Sequence, residues 1–247
     1  MDPILYNAAG GGRIGFKRQE IIANNLANVN TPGFKSDMYQ AQTLYANVGG
    51  SETKAAFAIQ NQNALDLSPG DIMTTGRNLD IAIEGNGWFA VTNGQGKEGY
   101  TKAGNLRLDV NGMLTTASGH PVLGNGGPIA IPPAQEINIG ADGTITIVPL
   151  GGDPKTAAVL DRIKLVTLDK NNIVKSSEGL YQLKNGGTPT AADASVQVRS
   201  GAIEGSNVNA IDQMVEMITS GREYDAHMKL MSTVEDNFQK LAQILHE

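Results

Sequence analysis

Cysteine is absent from the 247 residues. Thiol nucleophiles, disulfide staples and thiolate-bound metals are therefore excluded, while an oxidising destination stays open because nothing can mispair. Aromatic residues make up only 5% of the chain, with a single tryptophan. That is too few to line a sugar-stacking cleft as well as a core. No apolar run approaches the ~18 residues a membrane-spanning helix requires. The opening residues, Met1 to Tyr6, lack the basic stretch and apolar core of a cleavable secretory signal, so export, if it occurs, is expected by another route. A basic surplus is missing too. The formal charge of -6 offers no face to nucleic-acid phosphates.

Constellations that carry chemistry are equally scarce. His120, His227 and His246 have none of the i, i+4 spacing that aims two imidazoles at one metal. Gly10-Gly11-Gly12-Arg13-Ile14-Gly15 fits a dinucleotide fingerprint in letters, yet no buried strand and no βαβ unit surround it. Asp66, Asp71, Asp80, Glu84 and Asp109 could supply a carboxylate pair, but Trp88 and Phe89 read as core beside the Asn86-Gly87 turn. No Gly-x-Ser-x-Gly elbow occurs. The expectation is a non-enzymatic protein with no cofactor and no metal.

What the chain does contain is periodicity at both ends. Leu5, Ala9, Gly12, Phe16, Gln19, Ala23 and Leu26 recur at fours and threes, one face of a helix that Asp2 and Pro3 can open. Three successive glycines from Gly10 predict a kink, a break or very close packing, since each costs about 1 kcal/mol relative to alanine. At the other end Asn209 suits an N-cap, with Asp212 in the first turn. Met217, Tyr224, Met231, Phe238 and Leu245 then stand seven apart, with Val234 and Leu241 between them and Ser220 and His227 at the earlier equivalents, predicting a heptad seam. The expected lengths are roughly 40 Å and 55 Å.

Between these ends the period shortens to two. Runs such as Leu79 to Ile83, Trp88 to Val91 and Thr144 to Val148 read as strands, and Asn-Gly occurs five times, at Asn86, Asn93, Asn111, Asn125 and Asn185, with Asp142-Gly143 adding a sixth hairpin signal. The expected organisation is an N-terminal helix and signature turn over 1–35, an extended connector over 36–69, an all-β domain over 70–205 and a C-terminal coiled-coil helix over 206–247. The expected fold class is thus a mainly β body flanked by long terminal α-helices that pair as a coiled coil. Apolar stripes beyond what one chain can cover ask for helices of other chains.

Four asparagines between Asn24 and Asn30 precede Thr31-Pro32-Gly33-Phe34. Asparagine tolerates the left-handed conformation that ends helices, Thr31 before proline is pushed out of the helical region, and Pro32-Gly33 suits a type II turn. The stretch reads as a corner. In wording, Ala23 to Lys35 resembles the N-terminal signature of bacterial flagellar rod and hook proteins. Thr75 to Phe89, Tyr100 to Leu106 and Gly201 to Asn209 agree with that family in order and placement. Within it, the length, Gly87-Trp88-Phe89-Ala90-Val91 and Gly126 to Pro133 are most similar to the proximal-rod branch, with the distal rod as the near alternative and a hook-type subunit less fitting for want of an outer domain. Readings of another class are a secreted β-rich adhesin and a carbohydrate-active protein.

The resemblance implies a structural subunit of the basal-body rod, a hollow drive shaft that transmits motor torque. It implies export by the flagellar type III apparatus, residence in the periplasmic rod, and partners among other rod subunits, copies of itself and the surrounding membrane ring. Assembly residues expected on these grounds are Leu5 and Phe16 on the first helix; Asn24, Asn25, Leu26, Asn28, Pro32, Gly33 and Phe34 at the corner; Ser206 and Asn207; and Met217, Tyr224, Met231, Val234, Phe238, Leu241 and Leu245 on the last helix.

Overall fold

The computed structural model describes residues 3–39, 41–47, 54–60, 64–151 and 157–244. The chain forms two units. One comprises Met1–Val29, Lys35–Asp66 and Val208–Glu247, and the other Asn30–Phe34 and Leu67–Asn207.

The first unit is built on two helices, α1 (Pro3–Ala27) and α2 (Ala210–Ile244). Asn209 caps α2, its side-chain oxygen accepting from the N–H groups of Ile211 and Asp212. Asn25 meets Gln213, Arg18 meets Glu216 and Glu223, the Ser220 hydroxyl donates to the Gly15 carbonyl at 3.2 Å, and Gly11 abuts His227. As numbers fall along α1 they rise along α2, so the helices run antiparallel. Two short ladders complete the unit: Asp37–Met38 with Ala64–Leu65, and Ala41–Asn47 with Lys54–Gln60.

The glycine run does not interrupt α1. Close packing is the reason it is tolerated, because a Cβ on Gly11 would overlap the His227 ring, whereas one on Gly10 would meet nothing within 4 Å. Gly10→Ala is accordingly expected to raise the helix-pair melting transition, by about 1 kcal/mol from propensity alone. Gly11→Ala is expected to lower it. Circular dichroism at the helical band separates the two, and equal effects would remove the packing explanation.

The face α1 presents to α2 runs through Gly11, Gly15, Arg18, Ile22 and Asn25, one residue behind the predicted stripe. The helix is thus rotated by about 100°. Phe16 and Ala23, on the predicted stripe, are exposed, while Ile22 and Asn25 are buried. Glycines at the crossing let backbones approach more closely than Phe16 would allow, and closeness outweighs side-chain bulk.

The expected fold class also requires correction. The chain is mainly β with two α-helices that pair, and among the described residues their facing sides do not carry the unbroken apolar seam of a coiled coil. Gln213, Ser220 and His227 alternate with Met217, Tyr224 and Met231 on the α1 side of α2, so three positions that should carry an apolar knob are polar before Val234 resumes the apolar pattern. The facing residues of α1 include two glycines, an arginine and an asparagine. Phe238 is 48% exposed. The register places Pro3 opposite roughly residue 235, so Phe238 lies beyond the described end of α1.

The second unit is mainly β, with short 3-10 turns at Lys170–Asn172 and Lys184–Gly186. Its five-stranded antiparallel sheet orders Leu165–Thr167, Gly87–Thr92, Glu98–Thr101, Tyr181–Leu183 and Ile173–Lys175. Ala134–Ile139, Thr144–Pro149 and Ala158–Arg162 make a three-stranded sheet, and Ile81–Glu84 pairs with Gln197–Ser200. Ile81, Phe89, Val91, Leu106, Leu114, Val122 and Ile145 are fully buried in one apolar core, and Trp88 packs at a tilt against Tyr181 with ring centroids 4.7 Å apart.

Turn chemistry sets the hairpins. The Asp109 carboxylate accepts from Asn111 and Met113 while Gly112 takes a φ of 78°. The Thr144 hydroxyl, and then its N–H, hold the Asp142 carboxyl below the usual carboxylate range. In the turns at Asn86, Asn93 and Asn125 glycines take a positive φ: Gly85, Gly96 and Gly127.

Candidate assembly site

Asparagine at position 25 acts as a surrogate peptide group. Its side-chain oxygen accepts from the Asp37 N–H at 2.9 Å, and its amide donates to the Asp37 carbonyl at 2.9 Å and to Gln213 at 3.2 Å. One buried amide thereby ties α1, the returning strand and α2 together. Asn28 closes the helix by donating from its amide to the Asn24 carbonyl, while Asn24 is exposed and Leu26 half-buried. Asn25→Ala would remove the side-chain bonds to the N–H and the carbonyl of Asp37, and the expected cost is about 1–3 kcal/mol. Hydrogen exchange at the Asp37 amide checks this, since unchanged protection there would contradict the role given to Asn25.

The corner itself lies in the second unit. Phe34 N–H donates to the Thr31 carbonyl across Pro32 and Gly33, and Gly33 has a φ of 70°, the type II combination. Gly33 N–H donates to the Glu204 carbonyl at 2.8 Å. A Cβ on Gly33 would overlap the backbone of Lys102 and Ala103. Phe34 carries the Lys175 ammonium 4.1 Å above its ring, and its carbonyl accepts from Asn207, whose amide reaches Ser68.

Beneath the corner is a buried ion pair. Lys102 Nζ stands 3.5 Å from Glu204 Oε2, with side chains 5% and 3% exposed. The ammonium also donates to the Gly85 carbonyl at 2.7 Å and lies 5.6 Å from the Trp88 ring centroid, and Glu204 Oε1 accepts from Gly70 N–H. Two further stretches converge here. Gly201 and Ala202 N–H groups donate to the Asp80 carbonyl, Arg77 grips the Asp80 carboxylate and the Leu106 carbonyl, and Gly104 sits so close to the Ile81 carbonyl that no Cβ fits. The four quoted signature stretches, far apart in sequence, thus supply one knot of backbone and buried charge.

Three of the five carboxylates weighed for catalysis have other employment. Asp80 holds Arg77, Glu84 holds Arg199 and Asp109 organises its turn. No cluster of three potential metal ligands occurs among the described residues.

Of the residues expected at an interface, Met217, Tyr224, Met231 and Val234 share the α1 side of α2 and are half-buried, and Phe16 and Phe238 are exposed. Leu5 and Leu241 lie in the helices with side chains outside the described set, and Leu245 lies outside the described residues altogether. Sequence reasoning missed a second face. Ile211, Met214, Val215 and Ile218 are 71%, 49%, 60% and 59% exposed, and their i, i+3, i+4, i+7 spacing puts them on the side of α2 roughly opposite α1. The periodicity was present in the sequence but was masked by the heptad running through the same helix.

Comparisons with known proteins agree with this geometry. Residues 5–35 match the family model described as flagella basal body rod protein, residues 82–147 the flagellar hook protein FlgE/F/G D1 domain, and residues 199–244 the flagellar basal body rod FlgEFG protein C-terminal. The chain is 36% identical over 250 residues to the flagellar basal-body rod protein FlgF of Salmonella typhimurium, covering 99% of each chain. It is 37% identical over 250 residues to FlgF of Escherichia coli, again covering 99% of each. Against the rod protein FlgG of Bacillus subtilis it is 34% identical, with 97% of this chain and 98% of the relative covered. A knot of glycine contacts, capped turns and a buried ion pair is what a scaffold requires, and the chain belongs to the FlgE/F/G family of flagellar basal-body rod and hook proteins as a structural rod subunit rather than an enzyme.

Proposed function

We propose that this subunit joins the proximal rod and polymerises there through its helical unit, side by side with other rod subunits and copies of itself. The observation that carries the reading is the outer face of α2, where Ile211, Met214, Val215 and Ile218 stand in water in the isolated chain. Four large apolar side chains in one stripe are costly to leave wet, at about 1.5–3 kcal/mol each when fully buried instead. Phe16 and Phe238 add further exposed apolar surface on the same two helices. A helical lattice would bury all of it, whereas a closed dimer would cover one stripe only.

Delivery through the type III apparatus without a cleaved signal, residence in the periplasm and contact with the surrounding membrane ring complete the reading. The segments 1–35 and 206–247 are the assembling part, 36–69 the connector and 70–205 the outer body. Torque then passes through many repeated helix contacts rather than through one site. Localising a labelled copy in purified basal bodies tests the placement: signal confined to the part of the rod next to the inner membrane supports it, and signal at the distal rod, in the hook or absent from the particle overturns it.

A further inference from the structure

We propose that Asn125 is a site of spontaneous deamidation, set apart by the fold from the other Asn-Gly pairs whose side chains the structure describes. In this reaction the backbone nitrogen of the following glycine attacks the asparagine side-chain carbonyl carbon. The new C–N bond closes a succinimide ring, the Cγ–Nδ2 bond breaks, and ammonia leaves with the proton given up by the glycine nitrogen. Water then opens the ring at either carbonyl, yielding aspartate or isoaspartate. Two conditions govern the rate in a folded chain: the glycine N–H must be free to leave its hydrogen-bonding arrangement, and the asparagine backbone must be able to rotate towards its own side chain.

Asn125-Gly126 meets both. The two residues form the tip between Gly124 and Gly127, which pair directly across the short Leu123–Gly124 and Gly127–Pro128 ladder. Both are exposed, nothing lies within 4 Å of a Cβ placed on Gly126, and the Gly126 N–H has no hydrogen-bond partner among the described residues.

Each compared pair fails one condition. Asn93 is 6% exposed, with its side-chain oxygen accepting from Gln95 and Lys97. Beside Asn111, the attacking nitrogen of Gly112 is bonded to the Asp109 carbonyl at 3.1 Å. Beside Asn86, Gly87 opens a buried strand of the five-stranded sheet and is wedged against Val196. The Asn185 side chain lies outside the described residues.

The product is not neutral for its surroundings. Asn125 N–H donates to Asp161 Oδ1 at 3.4 Å, so a carboxylate formed at 125 adds like charge beside Asp161. An isoaspartyl link also lengthens the backbone of a two-residue connection that has no slack.

The folded full chain is incubated at mildly alkaline pH and sampled by peptide mapping, with isoaspartyl residues counted by enzymatic methylation. The peptide holding Asn125 should convert several-fold faster than those holding Asn86, Asn93 and Asn111, and the spread should collapse when the chain is held in denaturant. Gly126→Ala, which has room for its methyl group, should slow conversion at Asn125 several-fold and leave the other sites unchanged. Conversion at any of the three compared sites as fast as at Asn125 in the folded protein, or a Gly126→Ala chain converting at the parent rate, overturns the assignment.

Discussion

Lys102→Met is expected to destabilise the β unit by about 3–5 kcal/mol, because it removes the ammonium from beside a carboxylate whose side chain is 3% exposed. Trp88 reports on the change directly. It is the single tryptophan of the chain and lies 5.6 Å from the Lys102 ammonium, so denaturant titration followed by its fluorescence reads unfolding at the affected point. The Lys102→Met, Glu204→Gln double variant should recover much of the loss, since an uncharged amide can still accept from Gly70 N–H. The pair therefore need not be a net source of stability relative to an apolar substitute. Its value here is positional: Glu204 reaches Gly70 with its side chain and Gly33 with its carbonyl, so loss of Lys102 disturbs three chain segments together. A single variant that unfolds within about 0.5 kcal/mol of the parent would show that the pair is not structurally coupled to the β unit.

Ile218→Asp should abolish rod incorporation and motility while leaving both units folded. Its side chain is 59% exposed, so a carboxylate there is solvated in the free subunit, and the unfolding midpoint should stay within about 0.5 kcal/mol of the parent. In an assembled lattice the same carboxylate would be buried without a partner, costing several kcal/mol per subunit in a structure made of repeated contacts. Phe238→Asp is expected to act in the same way. Ile218→Leu keeps the apolar surface and should swim. Normal swimming by Ile218→Asp at parental expression would show that the outer face of α2 is not an assembly surface.

Local chemistry could be read from the sequence; geometry set by distant partners could not. Asn209 was legible as an N-cap, and Pro32-Gly33 as a turn, because each depends on neighbours within three residues. The facing stripe of α1 was misread by one position, since hydrophobicity singled out Phe16 whereas the packing selected the glycines that let α2 approach. The heptad of α2 followed the right face but implied apolar knobs where Ser220 and His227 stand. Lys102 and Glu204 gave no sign of each other: they lie far apart in the chain, and a lone charged residue amid small neighbours usually reads as surface. The role of Asn25 was half legible, as a corner asparagine, while its bond pair with Asp37 depends on where the returning strand runs.

The antiparallel course of α1 and α2 has one further consequence, for protein engineering. Pro3 stands opposite roughly residue 235 and α2 continues to Ile244, so the outer ends of the two helices are separated along the pair by about 14 Å. About five residues of extended chain cover that distance. A circular permutant that joins these ends through such a linker, with new termini opened at an exposed hairpin tip, would turn the helix pair into a continuous loop.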